Sequence, residues 1–268
     1  MLHNPAPALW RFLLSLLLLI LLTGYGVTLL HSDIALDLGS RLQAPSAAHW
    51  FGTDNLGRDL WQRCFQGMTS SLQIGISAAL FSGIIALVLS GVSLLHPRLD
   101  TLVRLLIDTL LALPHLLLLI LICFTLGGGK QGVIMAVAFT HWPRLTLILR
   151  AEALRVRTSD YVILSQRFGN GAWQRWRTHY LPALLPQWLT GTLLMFPHAV
   201  LHSAALSFLG FGLAPHEASL GILLADALRY LTTGGWWLAL FPGLLLLVLV
   251  LLVDQSARML QRLWIKEG

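Results

Sequence analysis

Long apolar runs separated by short polar stretches dominate this chain, and their lengths decide its architecture. A helix needs about 20 residues to cross roughly 30 Å of hydrocarbon. Runs near that length fall at 9–30, 72–95, 105–126, 133–149, 184–205 and 236–253. The pattern predicts an all-α integral membrane protein with six transmembrane helices. Arg11 followed by the leucine-rich run 12–22 has the look of a secretory signal, but no A-x-A-like site closes it and the run continues to Leu30. The first span is therefore expected to be retained.

Composition agrees with burial in lipid. The 268 residues are 56% hydrophobic and 11% charged, against about 25% charged in soluble domains. So few charges leave a water-exposed globule with large bare apolar patches, which excludes that class. Cys64 and Cys123 are too few for a disulfide scaffold, and no Cys/His run has zinc-site spacing. The net charge of +6 comes from scattered Lys and Arg without a basic-aromatic stripe. It reads as membrane topology and not as nucleic-acid binding.

Short cytoplasmic loops carry the excess of Lys and Arg. With the N-terminus inside, the inner pieces hold twelve (Arg11, Arg98, Arg104, Arg150, Arg155, Arg157, Arg167, Arg175, Arg177, Arg258, Arg262, Lys266) and the outer pieces five (Arg41, Arg58, Arg63, Lys130, Arg229). Arg144 falls inside the fourth span and is left out of both counts. The expected organisation is an N-terminal transmembrane helix over 1–30, an extracytoplasmic loop over 31–71, and a core of five helices over 72–268.

Two connectors are long and patterned. The outer one mixes Leu42, Trp50, Phe51, Leu56, Leu60, Trp61 and Phe65 with charges, and is expected to fold onto the membrane surface. The inner one, 150–182, sets six arginines against Glu152 and Asp160, with Trp173, Trp176 and Tyr180 at helical spacing. The glycine-punctuated stretch 207–215 should interrupt the helix and line a cavity or pack on another subunit.

Enzymatic motifs are missing. Gly127 to Gln131 fails the phosphate-loop pattern, which needs Gly at Phe124 and Ser or Thr at Gln131. There is no HExxH, GxSxG or GxGxxG, so no catalytic residue and no bound cofactor is expected, and any energy source lies on other subunits. Ionisable residues inside spans mark pathways or bundle interiors. Asp108, His115, His141, Met195, His198 and His202 are the candidates. His198 and His202 are four apart on one helix face, with Met195 a turn before, an arrangement suited to transient contact with a transition metal or its chelate. The competing reading is that these histidines satisfy buried carbonyls, such as that of Leu193 freed by Pro197. An intramembrane enzyme built on Asp108, His115 and His141 would require them to converge on one cavity.

Several stretches carry a family resemblance. Gly52, Thr53, Asp54, Asn55, Leu56, Gly57, Arg58 and Asp59, followed by Arg63, Gly67, Ser71 and Leu72, resemble the signature of inner-membrane permeases of peptide/nickel-type ABC importers. Locally, Asp54, Arg58 and Asp59 also suit ion pairs and caps that order the loop. The segment from Asp160 and Tyr161 to Arg167 and Gly169 is similar to the EAA loop of such permeases, with Ile163, Leu164, Ser165 and Gln166 standing where Glu-Ala-Ala is typical. Ala205 to Gly212 and Trp236 to Gly243 are similar to the C-terminal third of the second permease.

This resemblance implies a bacterial inner-membrane subunit working with a second homologous permease, two ATP-binding subunits that carry ATP and Mg, and an extracytoplasmic solute-binding protein. It also implies a coupling helix from Gly171 to Tyr180, with Trp173 and Trp176 as apolar anchors and Arg175 and Arg177 at the rim. Thr140-His141-Trp142 and Leu201-His202 look more like nickel-importing members, so nickel or a metal chelate stands slightly ahead of a di- or oligopeptide cargo. A non-transporting assembly subunit is the remaining alternative.

Overall fold

The computed structural model describes residues 6–265 apart from 31, 33, 35 and 214–216. His31, Pro215 and Lys266 of the sequence reading lie outside these residues. The helices are α1 (Ala6–Leu29), α2 (Leu60–Leu95), α3 (Pro97–Ala112), α4 (His115–Thr125), α5 (Gly129–Arg157), α6 (Asp160–Arg167), α7 (Ala172–Arg175), α8 (Leu181–Phe208), α9 (Leu220–Leu228) and α10 (Trp237–Ile265). A π-turn, Trp176–Tyr180, joins α7 to α8. Among the described residues, five helical stretches are long and apolar enough to span a membrane; α3 and α4 together make a sixth crossing if counted as one.

The third expected span is corrected by its proline. Residues 105–126 are not one helix, because α3 ends at Ala112 and α4 restarts at His115 with a 101° bend between them. Pro114 has no N–H to give the ladder and restricts Leu113 to extended backbone, which the ψ of 144° at Leu113 matches. One boundary also moves. The segment expected as loop to residue 71 is helical from Leu60, capped by Asp59, whose carboxylate accepts the Gln62 N–H at 3.2 Å. Sequence periodicity also gave no sign of α9, a nine-residue helix capped by Ser219.

Helix α2 is the central post. Small residues Gly67, Ser71, Gly75, Ala79, Gly83, Ala86 and Ser90 recur along its buried side, and they let α5, α8 and α9 approach closely. A Cβ on Gly75 would sit 2.5 Å from Val200, and one on Gly83 2.5 Å from Thr192. In lipid, where apolar tails compete equally for apolar side chains, this close fit is what drives helix association. Gly221 has the same role between α9 and α8, since its Cβ would lie 2.2 Å from the Ala204 carbonyl oxygen.

The 36–59 segment closes one end of the bundle. Asp54 is buried and accepts hydrogen bonds from the Leu56 and Arg58 amides, from Arg58 Nε at 2.7 Å and from Arg63 Nη1 at 2.7 Å. Thr53 Oγ1 accepts from the Gln43 amide and donates to the Ser40 carbonyl. Asp37 accepts from the Ser40 hydroxyl and the Gly39 amide, which hold its carboxyl below the usual carboxylate range. The segment is anchored to α10 by the Trp237 indole N–H on the Thr53 carbonyl and by Phe51 stacked on Phe241 at 4.0 Å.

Gly57 is required here. Its φ is +73° and a Cβ would lie 1.6 Å from the Asp37 carbonyl oxygen. Residues 52–59 thus form a folded clasp, as the local reading of Asp54, Arg58 and Asp59 expects. The 207–213 stretch interrupts the helix as expected, since α8 ends at Phe208. It packs on its own chain, with the Gly129 amide bonding the Gly212 carbonyl at 3.0 Å and the Cys123 thiol bonding the Phe211 carbonyl at 2.9 Å. Two turns with exposed backbone groups satisfy each other there.

Because the obstacle at Gly221 is backbone, Gly221→Ala is expected to destabilise the protein by about 1–3 kcal/mol, the usual cost of overpacking. Gly24→Ala, with nothing within 4 Å of its Cβ, is the control. Thermal unfolding in detergent should show a lower midpoint for the first substitution and no loss for the second.

Candidate functional site within the helix bundle

The α3–α4 bend opens a cavity of about 380 Å³ between α3, α4, α5 and α8. Its walls include Leu113 and His115 from the bend, Thr140, His141, Arg144 and Ile148 from α5, and Gly191, Met195, His198 and His202 from α8. The segment sequence explains the placement. His141 and Arg144 are three apart, and His198 and His202 four apart, so each pair shares one helix face.

Three imidazoles converge. The ring centroids of His115, His141 and His202 lie 4.7–4.9 Å apart, and one nitrogen from each falls within 4.8 Å of the others. His141 Nδ1 lies 2.9 Å from the Val137 carbonyl and 3.0 Å from Thr140 Oγ1. That contact fixes the ring through Nδ1 and leaves Nε2 available. Among the described residues, the side chains of His115 and His202 make no hydrogen bond.

The expected pair is therefore revised. His202 joins His115 and His141, while His198 lines the same cavity but turns its Nδ1 back to the Leu194 carbonyl at 3.1 Å. That is the carbonyl-satisfying role expected for one of the histidines, one residue beyond the Leu193 carbonyl that Pro197 frees. Met195 lines the cavity, with Ser82 Oγ 4.0 Å from its sulfur. Asp108 is exposed on α3 and does not line the cavity. Without its carboxylate, the convergence needed for an intramembrane enzyme is not met. Sequence reasoning overlooked Arg144, although an arginine inside a span was the available signal.

The segment from Asp160 to Tyr180 lies at the far end of α5 and α8. Phe168 is 83% exposed and Trp173 75% exposed. Tyr161, Arg167 and Arg177 are exposed as well, and Gly169 takes a φ of +82° that ends α6. Trp176 is half-buried, so close to α2 that a Cβ on Gly91 would come within 2.9 Å of its ring. It also stacks with Tyr180 at 6.3 Å. Phe168, not among the expected anchors, stands outward as Trp173 does.

Nor is the expected 171–180 helix separate. The helix runs without interruption from Ala172 to Phe208. Pro182 offers no N–H to the Thr178 carbonyl, and the turn before it widens so that the Leu181 amide bonds the Trp176 carbonyl.

A model of the family described as binding-protein-dependent transport system inner membrane component matches residues 83–266. The chain belongs to this family. The permease is 36% identical to a putative peptide transport system permease protein of Brucella suis, over 80% of this chain and 72% of that one. It is 34% identical to a dipeptide transport system permease protein of Bacillus subtilis, over 80% and 67%. It is also 31% identical to the nickel transport system permease protein of Escherichia coli, over 90% and 89%. A crystal structure of an amino acid ABC transporter shares the fold, with a TM-score of 0.58 at 16% identity, over 76% of this chain and 94% of that one. The permease is thus a multi-pass subunit of an ABC importer of the bacterial inner membrane, a transport protein and not an enzyme.

The two loop tryptophans give a direct check. Trp176→Ala is expected to destabilise the permease by about 2–5 kcal/mol, as for large-to-small changes in packed sites. Trp173→Ala is expected to stay within about 0.5 kcal/mol of the parent. Chemical or thermal unfolding of the purified protein distinguishes them.

Proposed function

We propose that this permease forms half of a transmembrane conduit that moves a small solute inward, with nickel or a metal chelate favoured over a di- or oligopeptide. The observation that carries the cargo preference is the imidazole-walled cavity at the α3–α4 bend. A dipeptide path has no need of three converging imidazoles, whereas nitrogen donors suit late first-row metals. The N-terminus lies in the cytoplasm on this reading, as the Lys and Arg asymmetry implies. The 52–59 clasp then faces outward, where a solute-binding protein delivers cargo.

On the inner side, Phe168 and Trp173 offer apolar anchors, and Arg167 and Arg177 a charged rim, to a cytoplasmic ATPase. Two such subunits hold ATP and Mg, and a second homologous permease completes the path. The continuity of α7, the π-turn and α8 supports a rigid linkage. Displacement of the helix near Trp173 is carried along α8 to His202, so ATP-driven closure at one end reshapes the cavity wall.

The test is ATP-driven uptake into proteoliposomes containing the full complex and its binding protein. Labelled nickel, alone or chelated, is compared with labelled dipeptides. Metal uptake above dipeptide uptake is expected, and the reverse order would overturn the cargo assignment. Gly169→Asp places a charge and a side chain at a left-handed turn on the ATPase-facing surface. Uptake is expected to fall at least tenfold while the complex still assembles, and unchanged uptake would remove the coupling role of this loop.

A further inference from the structure

We infer that His115, His141 and His202 form a coordination site for a divalent first-row transition ion in transit, and that Arg144 receives a carboxylate of the chelator travelling with it. The inference rests on the metal-cargo reading and adds a ligand set and a form of cargo to it.

The donor set defines the ion class. The cavity-lining residues include no carboxylate, so hard oxygen-seeking ions such as Mg²⁺ and Ca²⁺ find no partners. Imidazole nitrogens suit Ni²⁺, Cu²⁺ and Zn²⁺. A closed site with metal–nitrogen bonds of about 2.0–2.1 Å brings its nitrogens to roughly 3.3 Å of one another in tetrahedral geometry. Here they lie within 4.8 Å, so small side-chain rotations complete the site. An open site of this kind binds and releases, as a translocation path requires.

Orientation is partly prepaid. His141 is held through Nδ1 by the Val137 carbonyl, the outer-shell contact that aims a histidine's second nitrogen at a metal. His115 and His202 have no competing side-chain hydrogen bond among the described residues. His198 is held in the same way by the Leu194 carbonyl, but its nitrogens are not among those that converge within 4.8 Å.

Charge then identifies the accompanying ligand. Arg144 lines the same cavity, and a bare divalent cation would meet a fixed positive charge with no anion to offset it. A carboxylate-bearing chelator supplies that anion and pairs with the guanidinium, whose fork matches carboxylate geometry. The cavity of about 380 Å³ falls within the range of small-ligand sites.

The test uses the complete complex in lipid nanodiscs without its binding protein. The probes are Ni²⁺ alone, Ni²⁺–iminodiacetate, whose tridentate chelator leaves three positions of an octahedral ion open, and Mg²⁺ as the hard-ion control. Affinity is read by calorimetry and coordination by the nickel d–d absorption bands. Parent complex should bind the chelate and ignore Mg²⁺. His115→Ala and His202→Ala should each weaken binding at least tenfold and shift the bands, while His198→Ala stays within twofold.

Arg144→Gln should weaken chelate binding at least fivefold and leave bare Ni²⁺ binding unchanged or stronger. Gln replacements at the same histidines, with assembly checked by basal ATP hydrolysis, guard against misfolding. Equal nickel binding by the parent and a His115→Gln/His141→Gln/His202→Gln variant would overturn the site. Chelate binding indifferent to Arg144→Gln would overturn the role of Arg144. Metal import that persists in the triple variant would sink the site and leave the cargo reading standing. Site-dependent binding in a complex that energises peptide import alone would sink the cargo reading instead.

Discussion

The arrangement depends on one constraint: inside lipid, a backbone group released from a helix must find a partner within the protein. Pro114 releases such groups in the middle of an apolar run, which is tolerated where the backbone is buried in protein or lines a cavity, and Leu113 and His115 at the bend line one. The resulting 101° bend turns α3 away from α4, opens the cavity, and sets His115 at the first position of α4. Without the bend, residues 105–126 would be a plain lipid-facing span, and His141 and His202 would have no third partner.

The rest of the bundle supplies the other walls of that cavity. The small-residue side of α2 brings α5 and α8 together, and these two helices carry the remaining cavity histidines. Prolines recur within α5 and α8 at Pro143, Pro186 and Pro197, each freeing a carbonyl. Beside them, the His198 imidazole turns its Nδ1 back to the Leu194 carbonyl, one residue beyond the carbonyl that Pro197 frees. The clasp at 52–59 holds the opposite end through the buried Asp54–Arg63 pair and Trp237. The cavity is thus a deliberate gap between well-packed elements.

Much of this was legible in the sequence. Run length located the spans, because the thickness of hydrocarbon is a fixed ruler, and the signature from Gly52 to Asp59 announced a folded loop. The bend, the convergence of His115 with His202, and α9 were not legible. Apolar run length does not register a proline that divides a span into two directions, and the spacing of residues 115, 141 and 202 carries no local pattern. The half-burial of Trp176 was not legible either, because helical spacing alone does not tell an exposed ring from a packed one. The glycine at position 91 that receives it lies 85 residues upstream. The permease family and the alternation of loops were within reach of the residues, and the chemistry of the cavity required the fold.

The most direct test of this account is short-range cross-linking in membranes, in a background with Cys64 and Cys123 replaced by serine. Cysteine is placed at position 202 together with position 115 or position 108, and a short bifunctional thiol reagent is added. The His115→Cys/His202→Cys pair, whose parent rings lie 4.7 Å apart, should bridge efficiently, and the Asp108→Cys/His202→Cys pair should not. Bridging from position 108 but not from 115 would mean that the third span is not bent at Pro114, and the histidine cavity would be lost with it.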